Sequence, residues 1–258
     1  MKLIKNLAGK VYLLYFLLVF VITMIPAYLA VLIIYRWPEP KRSKALHSIF
    51  KIWMGFVMPA VFCPVRRKGA ENFESGKTYV VVCNHNSYMD VPVSSPWIPG
   101  ANKTLAKIEI AKVPLFGKIY KTGSILVDRD DELSRKQSFA AMRNALQMGL
   151  HLCLYPEGTR NKSNQSLQEF QDGAFVVAIR EQIPLMPSLI FNTGKILPAT
   201  INFWARPLPI DIHFLAPVST EGLTLRDLPE LKQKVWELMN DYYNQHNKTK
   251  LNEVLYCR

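Results

Sequence analysis

The chain is 258 residues long with 49% apolar and 20% charged residues, which excludes a disordered chain and a coiled coil; 12 Gly and 17 Pro exclude a collagen-like or low-complexity polymer. That length suits one sizeable domain with appendages. The net charge of +12 is unevenly placed: residues 1–68 hold eleven Lys and Arg against the single acid Glu39, leaving about neutrality for the remainder. Because the basic residues are interleaved with the most apolar stretch, the expected partner is an anionic membrane surface and not a nucleic acid, for which no binding motif is present.

Val11 to Tyr35 contains 25 residues without a charge, enough to cross a hydrocarbon core of about 30 Å. Lysines precede it (Lys2, Lys5, Lys10) and basic residues follow it (Arg36, Lys41, Arg42, Lys44), so the positive-inside rule does not orient a single crossing. A kink at Pro26 and a second apolar stretch, Ile49 to Val65, make two adjacent helices dipping into one leaflet an equal alternative to a span. In that arrangement Lys51, Arg66, Arg67 and Lys68 reach lipid head groups. Residues 1–68 are therefore expected to be a membrane-anchoring helical segment and residues 69–258 a separate domain on the cytoplasmic face.

Beyond the anchor, short β-branched runs alternate with longer amphipathic ones, the pattern of an α/β domain. Strands are predicted at Thr78 to Asn84, Ser124 to Val127, His151 to Tyr155 and Leu185 to Phe191. Helices are predicted over Asp131 to Gly149 and Asp172 to Gln182, and a closing helix carries the stripe Leu228, Leu231, Val235, Leu238 and Tyr242. Asn161 to Gln168 reads as a polar loop. Cys63, Cys83, Cys153 and Cys257 are scattered without metal-binding spacing and read as reduced thiols. No metal or cofactor site is apparent.

Two constellations follow apolar strands, where α/β sheets place functional groups. In Asn84-His85-Asn86-Ser87-Tyr88-Met89-Asp90 a carboxylate is within one turn of chain of a histidine, so it can fix the tautomer and stabilise the imidazolium. Ser87-x-x-Asp90 also reads as a capping box, although Pro92 would then sit where its missing N–H is needed. In Pro156-Glu157-Gly158-Thr159-Arg160 an arginine fixed by a neighbouring carboxylate suits a phosphate. Between them, Lys107 and Arg129 flank an apolar run that can line a chain-binding groove. Cys83 offers a covalent alternative as nucleophile; His47, His151, His213 and His246 read as structural.

These blocks, with Ile183-Pro-Leu-Met-Pro187 as a fourth in the same order, resemble the lysophosphatidic acid (1-acylglycerol-3-phosphate) acyltransferases of the glycerolipid acyltransferase family over roughly residues 80–190. The resemblance implies a mixed sheet flanked by helices, with His85 as general base and Asp90 orienting it. It assigns Lys107, Arg129, Glu157, Gly158, Thr159, Arg160 and Pro187 to substrate binding. It further implies lysophosphatidate as acceptor and acyl-CoA or acyl carrier protein as donor. Phe170-Gln171-Asp172 departs from the family, where a basic residue commonly follows the Phe. That departure leaves another lysolipid, such as an amino-acid-headed one, open as acceptor, and a non-catalytic lipid or carrier-binding module is the rival from another class.

Overall fold

A computed structural model describes residues 2–163, 165–199 and 203–256, with side chains described from residue 6 to residue 247. Cys257 lies outside the described residues, as do the side chains of Lys2 and Lys5. In chain order the elements are α1 (Lys2–Ile34), α2 (Lys41–Ala60), β1 (Val65–Lys68), β2 (Val80–Cys83), α3 (Asp90–Trp97), β3 (Asn102–Lys107), α4 (Phe116–Gly123), β4 (Ser124–Val127), α5 (Glu132–Gln147), β5 (His151–Leu154), α6 (Gly173–Glu181), β6 (Leu185–Phe191), the short α7 (Thr193–Ile196), β7 (Ile210–Phe214) and α8 (Leu228–Tyr256).

The seven strands form one sheet in the order β1-β7-β6-β2-β5-β3-β4. All neighbours are parallel except β6 and β7, so the sheet is mixed, as expected. Central strands such as Val80–Cys83 and His151–Leu154 are buried at every position, and alternate side chains feed two cores. Val81, Cys83, Cys153 and Met186 face the helices α1 to α3, whereas Val80, Val82, Leu152 and Leu154 face α5, α6 and α8. The result is three layers, helix on sheet on helix.

Local rules account for the helices read from sequence. Asp131 caps α5 by accepting from the N–H groups of Leu133 and Ser134, and Gly149 follows the helix at φ +73°. The stripe on α8 needs one correction: Met239 is fully buried while Leu238 is 40% exposed, because burial follows Leu231, Val235 and Met239 at four-residue spacing.

The N-terminal helices differ from expectation in two respects. Helix α2 begins at Lys41, well before the apolar stretch, while α1 is continuous through Pro26. Val65–Lys68 is a strand parallel to β7, so the sheet draws its edge from residues read as lipid-facing. Helices α1 and α2 pack over the sheet: Val31, Val57 and Met58 are fully or almost fully buried there, and Trp53 donates its indole N–H to Thr23 at 2.9 Å.

Contacts fix α1 along its length. Near its start, a Cβ on Gly9 would overlap the Trp204 ring, and Ala205 donates its backbone N–H to the Gly9 carbonyl at 3.1 Å. Further on, Phe20 packs against Trp53 and Phe116, and Ile34 is buried. At the turn between α1 and α2, Glu39 accepts from Lys103 Nζ of β3 at 2.9 Å, from Arg42 at 2.7 Å and from the Ser43 hydroxyl at 2.6 Å. Leu14, Leu18, Ile22, Ile25 and Ile33 are left exposed on the outer side, joined by Ile52 and Phe56 of α2.

Candidate active site

Strand β2 ends at Cys83, and the buried Asn84 continues its pairing with side-chain atoms: Nδ2 donates to the Ile190 carbonyl at 3.0 Å and Oδ1 accepts the Ile190 N–H at 2.7 Å. The next residue, His85, therefore leaves the sheet at a fixed point. Its backbone is held on both sides, the N–H donating to Glu157 Oε1 at 2.7 Å and the carbonyl accepting from Asn161 N–H at 2.6 Å. Its ring nitrogen Nδ1 lies 2.8 Å from Asp90 Oδ2. Below the imidazole lies the Tyr155 ring, 4.4 Å between centroids, and the Tyr155 hydroxyl is 2.7 Å from Ser94 Oγ.

Asp90 is wholly buried and opens α3, with Met89 and not Ser87 at the cap position. Pro92 is consequently the third helical residue, where no intrahelical N–H is required, so the expected conflict does not arise. With Nδ1 engaged, Nε2 is the ring nitrogen left for an apolar groove of about 470 Å³ that His85 lines. Phe16 and Phe20 of α1, Trp53 and Met54 of α2, Phe116 and Ile119 of α4, and Arg160 also line it.

The structure brings Arg160 to this groove with its guanidinium 3.7 Å above the Tyr88 ring, and its Nε is buried with no partner. Arg129 donates to the Gly158 carbonyl from the adjoining loop. Both guanidinium groups act on the Tyr120 hydroxyl, whose pKa burial raises and their charges lower. An arginine pair with a phenol at the edge of an apolar groove suits a phosphate carried on a lipid.

Other expected binding residues stand elsewhere. The carboxylate of Glu157 does not fix Arg160; it is buried, its Oε1 on the His85 N–H and its Oε2 accepting the Gln168 N–H at 2.9 Å. Burial pushes its pKa up to about 7 against those two hydrogen bonds, with the Asp90 charge adding to the rise. Gly158 turns the loop at φ +71°, and a Cβ there would press on Gln171. Thr159 is exposed and faces Gln168 at 3.3 Å. Lys107 is half exposed and pairs with Glu109 at 3.6 Å, outside the groove lining. Pro187 is buried inside β6, opposite Val82, where it serves the sheet.

Cys83 is buried with its Sγ 4.0 Å from that of Cys153, and the contact with Cys153 and burial push its thiol well up, which suits an inert thiol and not a nucleophile. Asp172 pairs with Lys232 of α8 at 2.7 Å. Among the described residues no cluster of His, Cys, Asp and Glu has the arrangement of a metal site. Tyr120 escaped the sequence reading, and Tyr88 and Tyr155 stood inside its two constellations without a role; the signal for Tyr155 was its place between a buried strand and Pro156, and for Tyr88 its three-residue spacing from His85.

A family model described as Acyltransferase matches residues 64–190. The mouse 1-acyl-sn-glycerol-3-phosphate acyltransferase alpha is 31% identical over 175 residues, 66% of this chain and 60% of that protein. The Helicobacter pylori 1-acyl-sn-glycerol-3-phosphate acyltransferase is 28% identical over 169 residues, 65% of this chain and 69% of that one. The match to the coconut enzyme of the same name likewise covers only 59% of its length. In fold, the crystal structure of the 1-acyl-sn-glycerophosphate (LPA) acyltransferase PlsC from Thermotoga maritima superposes with a TM-score of 0.77 at 19% identity, over 96% of this chain and 98% of that one.

Residues 64–190 thus match an acyltransferase domain, and the chain is similar in sequence to 1-acyl-sn-glycerol-3-phosphate acyltransferases, of whose length it spans about 60 to 70%.

Proposed function

We propose that this protein moves a fatty acyl group from an acyl thioester to the free hydroxyl of 1-acylglycerol 3-phosphate, giving phosphatidic acid and a free thiol. The observation that carries this reading is the His85–Asp90 pair, 2.8 Å apart, at the mouth of an apolar groove shared with Arg160. His85 Nε2 takes the hydroxyl proton as the oxygen attacks the thioester carbonyl. The tetrahedral intermediate collapses, the C–S bond breaks, and the departing sulfur receives the proton from His85. Asp90 holds Nδ1–H and stabilises the imidazolium, a base catalysis worth about 10² to 10⁴-fold. Arg160 and Arg129 hold the acceptor phosphate, and the acyl chain occupies the groove.

The apolar outer face of α1 and α2 fits a membrane surface. One helix, Asn6–Ile34, is long and apolar enough to cross a bilayer. Its contacts with the α/β domain at Gly9, Phe20 and Ile34 favour a helix lying along the domain and immersed in one leaflet. The test of function is thiol release from acyl-CoA and from acyl carrier protein by detergent-purified protein, with and without lysophosphatidate, beside His85→Ala. Acceptor-dependent release lost in the variant is expected. Release with an amino-acid-headed lysolipid alone would overturn the acceptor, and silence with every acceptor would overturn the enzyme.

A further inference from the structure

The connection from β3 to α4 exposes apolar side chains at the rim of the groove. Ile108, Val113 and Leu115 are 39%, 48% and 48% exposed within eight residues. Apolar residues scattered singly over a surface need no explanation, whereas three on one short segment beside a cavity mark a contact. The backbone holds one of them in a strained turn. Leu115 stands at φ +60° and ψ −60°, closed by the Phe116 N–H on the Pro114 carbonyl at 2.6 Å, a conformation rare for a branched side chain. Gly117 lets the segment fold back on itself, since a Cβ there would overlap the Ala111 carbonyl.

The same segment has an inner side. Ile110, Val113 and Phe116 line the groove, and Phe116 packs on Phe20 of α1 at 6.4 Å between ring centroids. Val113 is both half exposed and part of the groove wall, so the rim is one side chain thick there. Ile108 and Leu115 stand outside the lining.

Charge and neighbours say what covers this rim. Lys107 to Lys121 carries four lysines against Glu109, and that carboxylate is paired with Lys107 at 3.6 Å. Lys112 and Lys121 are exposed. Lys118 stands over the Tyr35 ring, 4.7 Å from its centroid, which joins the rim to the end of α1 where Ile33 is 72% exposed. Apolar side chains ringed by lysines, and continuous with an apolar helix face, complement the interior of an anionic leaflet and its head groups.

We propose that Ile108 and Leu115 dip into the leaflet that receives the outer side of α1, and that this rim is where a lipid tail crosses from the bilayer into the groove. The inference rests on the reading of a membrane-seated acyltransferase, and adds to it a point of contact on the α/β domain itself.

Photoreactive benzoylphenylalanine, placed in turn at Ile108 and Leu115 of the full-length protein, tests the contact on vesicles of phosphatidylglycerol and phosphatidylcholine. Ile33 on α1 serves as the reference position, and Met148, exposed at the end of α5 in the opposite helical layer, as the control. Lipid adducts at Ile108 and Leu115 in yields comparable to Ile33, with none at Met148, are expected. Adducts at Ile33 alone overturn the proposal and leave the membrane reading standing, while absence of lipid adducts at every position sinks both. Adducts to a second protein chain at Leu115 would make the rim a contact between copies and overturn the proposal as well.

Entry is read separately, with Ile108→Ser/Leu115→Ser acting on a long-chain lysophosphatidate held in vesicles and on a short-chain one dissolved as monomers. The variant's kcat/KM is expected to fall about tenfold or more for the vesicle-borne acceptor and to stay unchanged for the dissolved one, because two apolar side chains no longer enter the leaflet. Wild-type values on vesicles, or an equal loss on both acceptors, overturn the entry role. Lipid adducts without turnover by wild type on either acceptor would sink the acyl-transfer reading and leave the contact standing.

Discussion

One oxygen of Asp90 serves His85 and the backbone around it at once. Oδ2 lies 2.8 Å from His85 Nδ1 and also accepts the N–H groups of Asn86 at 2.6 Å and Ser87 at 2.8 Å. The turn that carries His85 is thereby folded around the Asp90 carboxylate. Asp90→Asn is expected to lower kcat by about 10² to 10⁴-fold, because an amide cannot stabilise the imidazolium and favours the wrong tautomer. Comparing kcat and thermal stability of Asp90→Asn with His85→Ala checks it; wild-type turnover in either would remove His85 as base.

Arg160 spreads its guanidinium over Tyr88 and keeps a buried Nε without a partner. Its replacement by Ala is expected to lower kcat/KM for lysophosphatidate by about 10²-fold, a loss of one charge-assisted, bidentate contact. Arg160→Lys restores the charge without the planar fork and should recover part of that loss. An effect on the donor's KM instead of the acceptor's would place the phosphate elsewhere.

Glu157 links pH to stability. Its pKa is raised in the fold from 4.5 to about 7, so its favourable contribution is complete below about pH 4.5 and is lost as pH rises to about 7. A neutral Glu157→Gln variant should gain on wild type across that window, by about 3 kcal/mol at most. Urea midpoints at several pH values read this directly, and parallel profiles for the two proteins would refute it. The variant should also lower kcat, since the hold on the His85 N–H is altered.

The Glu39 turn works in the opposite direction. Burial alone would raise this carboxyl, but the Ser43 hydroxyl, Lys103 and Arg42 outweigh it and hold it at about 2. Its contribution is present above about pH 4.5 and is lost as pH falls toward 2. Glu39→Gln is expected to cost about 2–3 kcal/mol near neutrality, leaving the buried Lys103 uncompensated, and the difference should vanish in acid.

Much of the sheet was legible because buried parallel strands are continuous apolar runs: Ser124–Val127 and Leu185–Phe191 coincide with the predicted bounds. The edge strand Val65–Lys68 was not, since three basic residues at a sheet margin are indistinguishable in sequence from a lipid-facing patch. Nor was Asn102–Lys107, whose buried Lys103 is satisfied by Glu39, 64 positions away, and by the Thr122 carbonyl. At the site, the His85–Asp90 pair lies within one turn of chain and was readable. The role of Glu157 was not, because whether a carboxylate faces an arginine or two backbone amides is decided by how loops meet.

Helix α1 shows the same apolar character on both sides, with Phe16 and Phe20 in the groove wall and Leu14, Leu18 and Ile22 outermost. If the outer side rests in lipid, a single helix thickness separates the bilayer interior from the place where the chain reacts. A sixteen-carbon tail withdrawn through water would expose methylenes at about 0.8 kcal/mol each, a barrier on the order of 12 kcal/mol. On the proposed function, lateral passage around α1 would keep the tail in hydrocarbon-like surroundings throughout, and the supply of substrate would be governed by diffusion within the membrane plane and not by the vanishing concentration of dissolved lipid.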